Sequence, residues 1–62
     1  MKHKIQIVDK YIEDNWFYFN DLGLDHEEII TQIENNLYLF NSASNYAERH
    51  YGEDKTPWDY ID

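Results

Sequence analysis

Lys4-Ile5-Gln6-Ile7-Val8-Asp9-Lys10-Tyr11-Ile12-Glu13-Asp14-Asn15-Trp16-Phe17-Tyr18-Phe19-Asn20 is the stretch on which the fold turns. Its first residues alternate apolar and polar, the period of a strand with one buried face. The alternation changes phase at Val8, which a bulge or an early strand end would accommodate. Glu13-Asp14-Asn15 has turn character, because Asp and Asn tolerate left-handed backbone. Trp16-Phe17-Tyr18-Phe19 is an aromatic run of high β-propensity. A two-residue turn at Asp14-Asn15 pairs Ile12 with Phe17 and Tyr11 with Tyr18, so residues 4–20 are expected to form an antiparallel hairpin. The competing reading is a helix over 7–19, since Ile7, Tyr11 and Tyr18 also recur at helical spacing.

Downstream of the connector Asp21-Leu22-Gly23-Leu24, the pattern becomes helical. Asp25 and Glu28 have capping-box spacing, and acids in a first turn suit the helix dipole. Ile29, Ile30, Ile33, Leu37 and Phe40 then recur on one face. This predicts a helix over about 25–40 with its apolar face on the hairpin. At ~100° per residue, Glu27, Thr31, Glu34 and Tyr38 fall along one flank. Glu28, Asn35 and Leu39 fall opposite the core, which leaves Leu39 exposed unless another surface covers it.

Asn41-Ser42-Ala43-Ser44 is expected to break or kink the helix, with Ser42 or Ser44 capping a second short helix that ends at Gly52. One long helix through this stretch is the alternative. Residues 53–62 read as a turn followed by a tail, whose Trp58-Asp59-Tyr60-Ile61 segment either docks on the domain or serves as a short recognition segment. The expected fold is α+β, a single small domain over 1–62. An N-terminal antiparallel hairpin packs on one main helix, followed by a short C-terminal helix; a mostly α fold is the alternative.

Composition narrows the function. The chain has 62 residues, no cysteine and a net charge of -8. Disulfide scaffolds and zinc–thiolate sites are excluded. A chain this short buries only about 60% of its unfolded surface, so a dense aromatic core, self-association or a larger partner is expected to support it. The N-terminus does not read as a signal peptide, and no run approaches the ~18 apolar residues of a membrane span. A cytoplasmic protein is expected. The negative charge opposes direct binding to nucleic acid or to an anionic membrane.

The charge is also unevenly placed. From Tyr11 to Glu48 there is no lysine or arginine, while the same stretch holds Glu13, Asp14, Asp21, Asp25, Glu27, Glu28, Glu34 and Glu48. Lys2, Lys4, Lys10, Arg49 and Lys55 all lie outside it. Aromatic and amide side chains are interspersed with the acids. Catalytic signatures are missing: there is no cysteine nucleophile and no Gly-x-Ser-x-Gly, and a chain of this size has little room for a cleft that tunes carboxylates. No enzyme activity is expected. His26 beside Asp25 and Glu28 could ligate a divalent ion, but no metal-binding spacing surrounds it. Asp25 and Glu28 read as caps and His26 as a surface residue, so neither metal nor cofactor is expected.

The acid–aromatic distribution is the remaining signal. Duplex DNA carries a negative charge every ~1.7 Å along its axis, and arrayed carboxylates offer a comparable field to a basic cleft. Carboxylates pair bidentately with arginine, as phosphates do, and tyrosine and tryptophan are frequent energetic anchors at interfaces. In size, charge and aromatic content the whole chain resembles the small acidic inhibitors encoded by phages and other mobile elements, including anti-restriction, anti-CRISPR and glycosylase-inhibitor proteins. The resemblance carries no motif, so no functional residue is transferred from it.

The resulting expectation is an acidic inhibitor that occupies the basic nucleic-acid-binding cleft of a bacterial defence or nucleic-acid enzyme as a DNA mimic, in the host cytoplasm if phage-encoded. Glu13, Asp14, Asp21, Glu27, Glu28 and Glu34 are the expected contacts, with Tyr18 and Tyr38 as anchors. The alternative is a small homo-oligomeric structural or regulatory module, with Leu39 and outward aromatics forming a self-interface, or an antitoxin-like partner of a basic toxin.

Overall fold

The structure is a computed structural model that describes residues 4–61. Helices dominate it. After a two-residue strand β1 (Ile5–Gln6), the chain forms α1 (Ile7–Asp14), α2 (Trp16–Asp21), α3 (His26–Asn35) and α4 (Leu37–Tyr51), and closes with a second short strand β2 (Tyr60–Ile61). The strands pair antiparallel, Ile5 opposite Ile61 and Gln6 opposite Tyr60. Among the described residues, strand character before α1 is therefore confined to two residues, and their partner is the 60–61 segment.

The hairpin over 4–20 does not form; the helical alternative describes most of this stretch. Ile7, Val8, Tyr11 and Ile12 are all buried, and their spacing is that of one helix face. Val8, the residue that disturbs the alternation, is in phase on this face. The break falls at Asn15, which is not left-handed (φ -116°, ψ 23°). Its backbone N–H donates to the Tyr11 and Ile12 carbonyls at 3.1 and 3.2 Å. Its side-chain amide donates to the Tyr11 carbonyl at 2.8 Å. The β-propensity of Trp16–Phe19 is overridden because only Phe19 of these four is in the core, and β-propensity largely reflects packing opportunity.

Gly23 ends α2 in a Schellman arrangement. The Leu24 N–H donates to the Phe19 carbonyl at 3.4 Å and the Gly23 N–H to the Asn20 carbonyl at 3.0 Å. Gly23 has φ 74°, which glycine adopts without a Cβ penalty. Asp25 then caps α3 as its spacing predicts. The Glu28 N–H donates to Asp25 Oδ1 at 2.8 Å, and the Asp25 N–H donates to Glu28 Oε1 at 3.3 Å.

The long helix breaks five residues earlier than the serine stretch. Asn36 leaves helical geometry (φ -112°, ψ 112°) and caps α4, its Oδ1 accepting from the Tyr38 and Leu39 N–H groups at 3.0 and 3.3 Å. Asn is among the preferred N-cap residues because its short side chain reaches those orphan donors. Asn41-Ser42-Ala43-Ser44 lies inside α4, so the single-helix alternative holds there. Ala43 and Ala47, one turn apart, are fully buried, and side chains this small allow close helix packing. α4 ends at Gly52, where the sequence places it.

The new break re-aims the α4 side chains. Leu39, expected on the outside, is 8% exposed and joins the core, whereas Leu37, expected inside, is 74% exposed. Tyr38 no longer shares a helix with Glu27, Thr31 and Glu34. The core comprises Val8, Tyr11, Ile12, Phe19, Ile29, Ile33, Leu39 and Ala43, flanked by Leu24, Ile30, Tyr46 and Trp58.

The segment after Gly52 docks; it does not project as a tail. Pro57 is fully buried. The Val8 N–H donates to the Pro57 carbonyl at 2.8 Å and the Ile7 N–H to the Asp59 carbonyl at 2.9 Å. Helix α1 has no side-chain cap at Gln6, so these carbonyls satisfy two of the donors that every helix start leaves open. Among the described residues no helix is long and apolar enough to cross a membrane.

Candidate functional site

All eight carboxylates between Tyr11 and Glu48 are on exposed residues. They do not behave alike, because three of the six expected contacts have partners within the chain. Glu13 Oε2 lies 3.6 Å from Lys10 Nζ, one turn back on α1. Asp14 Oδ2 accepts from the Tyr46 hydroxyl at 2.5 Å. Glu28 is held in the capping box. Asp21, Glu27 and Glu34 make no side-chain hydrogen bond or ion pair with another described residue. Glu27 and Glu34 lie seven positions apart on α3, on the same face. Glu27 and Glu28, with Thr31 and Gln32, line a shallow depression of about 330 Å³.

The two expected anchors come together. Tyr18 from α2 and Tyr38 from the first turn of α4 line one cleft of about 200 Å³, with Tyr11, Asn15, Leu39 and Ser42. Tyr11 forms part of the floor, its hydroxyl donating to Ser42 Oγ at 3.0 Å. A second cleft of about 290 Å³ shares Tyr11, Asn15 and Ser42 and continues to Asn45, Tyr46, Arg49 and His50. Partial burial, and then the bond to Asp14, hold the Tyr46 phenol well above its ordinary range. It is therefore a hydrogen-bond donor at neutral pH.

Much of the apolar surface that the fold leaves uncovered is on α2, the connector after it and the first turn of α4; Ile5 and Tyr60, on the strand pair, are exposed as well. Phe17 is 84% exposed and Tyr38 77% exposed, and Trp16, Tyr18, Leu22 and Leu37 are also exposed. Part of this is visible in sequence, since an aromatic run of four cannot turn every ring to one core. Leu37 is not, because its exposure depends on the break at Asn36.

His26, weighed as a ligand, has another role. Its Nε2 lies 2.9 Å from Asp9 Oδ1, tying the start of α3 to α1. Among the described residues, no group of three or more His, Asp or Glu side chains is arranged to hold a metal ion. No protein-family model matches the chain, and no curated protein or solved structure matches it.

Proposed function

We propose that the chain is an acidic inhibitor that binds the basic nucleic-acid-binding cleft of a bacterial defence or nucleic-acid enzyme and excludes the nucleic acid by competition. The observation that carries this reading is the unbroken exposure of the eight carboxylates in a 38-residue stretch without lysine or arginine. A surface acidic only for solubility usually interleaves both signs of charge. A one-signed surface raises association rates with a basic partner and selects against acidic ones. The aromatics beside it supply contact area that charge alone does not.

The self-associating alternative loses one of its supports, since Leu39 is buried. Its remaining candidates, Phe17, Leu37 and Tyr38, lie on a chain of net charge -8, and a symmetric contact would bring like charges together.

The test is a charge reversal on α3. Glu27→Lys with Glu34→Lys changes two exposed carboxylates that make no side-chain hydrogen bond or ion pair with another described residue. The chain should therefore stay folded, at the cost of about 0.3–1 kcal/mol for reversing Glu27 in the first turn of α3, and bind a basic nucleic-acid enzyme at least about tenfold more weakly. Unchanged affinity in the double variant sinks the mimic reading.

A further inference from the structure

Building on the basic-cleft reading, we propose that the outer half of α2 is an arginine-binding platform, with Phe17 and its neighbours stacking on a guanidinium and Asp21 pairing with it. Helix α2 meets the core through Phe19, which is fully buried. Phe17, two positions earlier, is rotated by about 200° and so points directly away from the core. Trp16 and Tyr18 flank it at about 100° on either side, and both are exposed. Asp21 follows Phe17 by four residues, the spacing that puts two side chains on the same face one turn apart. Its carboxylate is exposed and makes no bond to another described side chain. The helix thus presents aromatic faces and an available carboxylate side by side. The aromatic surface continues through Tyr18 to Tyr38 across their shared cleft.

This pairing of groups selects among occupants. A guanidinium is planar and weakly hydrated, stacks on aromatic rings and binds a carboxylate through two parallel hydrogen bonds. A lysine ammonium is compact and strongly hydrated, and it gains less from the rings. A purely apolar partner would strip water from Asp21 without pairing it. A second copy of the chain would set carboxylates against carboxylates.

The experiment uses the full chain and two labelled probes, nona-arginine and nona-lysine peptides, with binding read by fluorescence anisotropy at moderate salt. The arginine peptide is expected to bind more tightly, on the order of fivefold. Phe17→Leu, which keeps apolar bulk but removes the ring, and Asp21→Asn should each bring that ratio toward one with an unchanged thermal melt. Glu27→Lys with Glu34→Lys should weaken both peptides together and keep the ratio. Equal binding of the two peptides, or a ratio unmoved by Phe17→Leu, overturns the arginine platform and leaves the basic-cleft reading standing. Binding of neither peptide overturns both. A concentration-dependent dimer in sedimentation that Phe17→Leu abolishes would assign the face to a second copy and overturn the platform too.

Discussion

The Tyr46 hydroxyl donates to the Asp14 carboxylate at 2.5 Å, joining residues 32 positions apart. The bond fastens the end of α1 to the middle of α4, where the Tyr46 ring also meets Tyr11 edge-on at a centroid distance of 5.6 Å. An acid that the sequence offers as a partner contact is thereby engaged within the fold. Tyr46→Phe keeps the ring and loses the bond, and should cost about 1 kcal/mol of stability in urea melts.

The same bond gives stability a pH dependence on the alkaline side. The folded phenol is held above its ordinary value of 10.0, first by partial burial and then by Asp14. Above about pH 10 the unfolded chain releases this proton while the folded chain retains it. Stability therefore falls as pH rises through that range, and the contribution is fully present below it. Melts of wild type and Tyr46→Phe between pH 8 and 11 should converge at the upper end. A constant gap across that range would contradict the assignment.

Phe17 and Phe19 offer a direct check on the helical reading of α2. In a strand, residues two apart share a face; in α2, Phe19 is buried and Phe17 is exposed. Phe19→Ala should cost about 3–5 kcal/mol, enough to unfold a chain of this size. Phe17→Ser should change stability by less than about 0.5 kcal/mol. Similar losses for the two would restore the hairpin.

Which parts of the fold are legible in sequence follows from the range of the forces involved. Asp25, Glu28 and Gly52 act within a turn or two of their own positions, and each does what its spacing indicates. Residues 4–20 satisfy two local patterns at once, and contacts with distant residues decide between them: α4 supplies Ala43 and Leu39 to the core, and the 57–61 segment caps α1. Asn36 sits between apolar residues that keep helical phase on either side, so its cap is hidden from periodicity. Missing that cap reverses the expected burial of Leu37 and Leu39. The run of acids is legible in the sequence, whereas the meeting of Tyr18 and Tyr38 depends on α1, which packs against both α2 and α4.

The cap at Asn36 can be tested by substitution. Asn36→Ala removes the acceptor for the Tyr38 and Leu39 N–H groups and should cost about 1 kcal/mol, while Asn36→Asp should be nearly neutral because Asp caps about as well. Equal losses in the two variants would show that the side chain is not acting as a cap.

The docked C-terminal segment should be indispensable. A chain ending at Gly52 loses buried Pro57 and the packed Trp58, and leaves the Ile7 and Val8 N–H groups without their carbonyl partners. Each orphaned buried donor costs about 1–3 kcal/mol, so the truncated chain should show little helical circular dichroism at 25 °C. A cooperative melt close to that of the full chain would contradict the docked arrangement.

We propose that exposed carboxylates let this chain take the place of nucleic acid on a basic protein. The most direct test is affinity capture from a bacterial lysate at low and high salt, with duplex DNA added as competitor and the retained proteins identified by mass spectrometry. A nucleic-acid enzyme should be retained at low salt and released by salt and by DNA. Recovery of the chain alone, insensitive to both, would contradict the proposal.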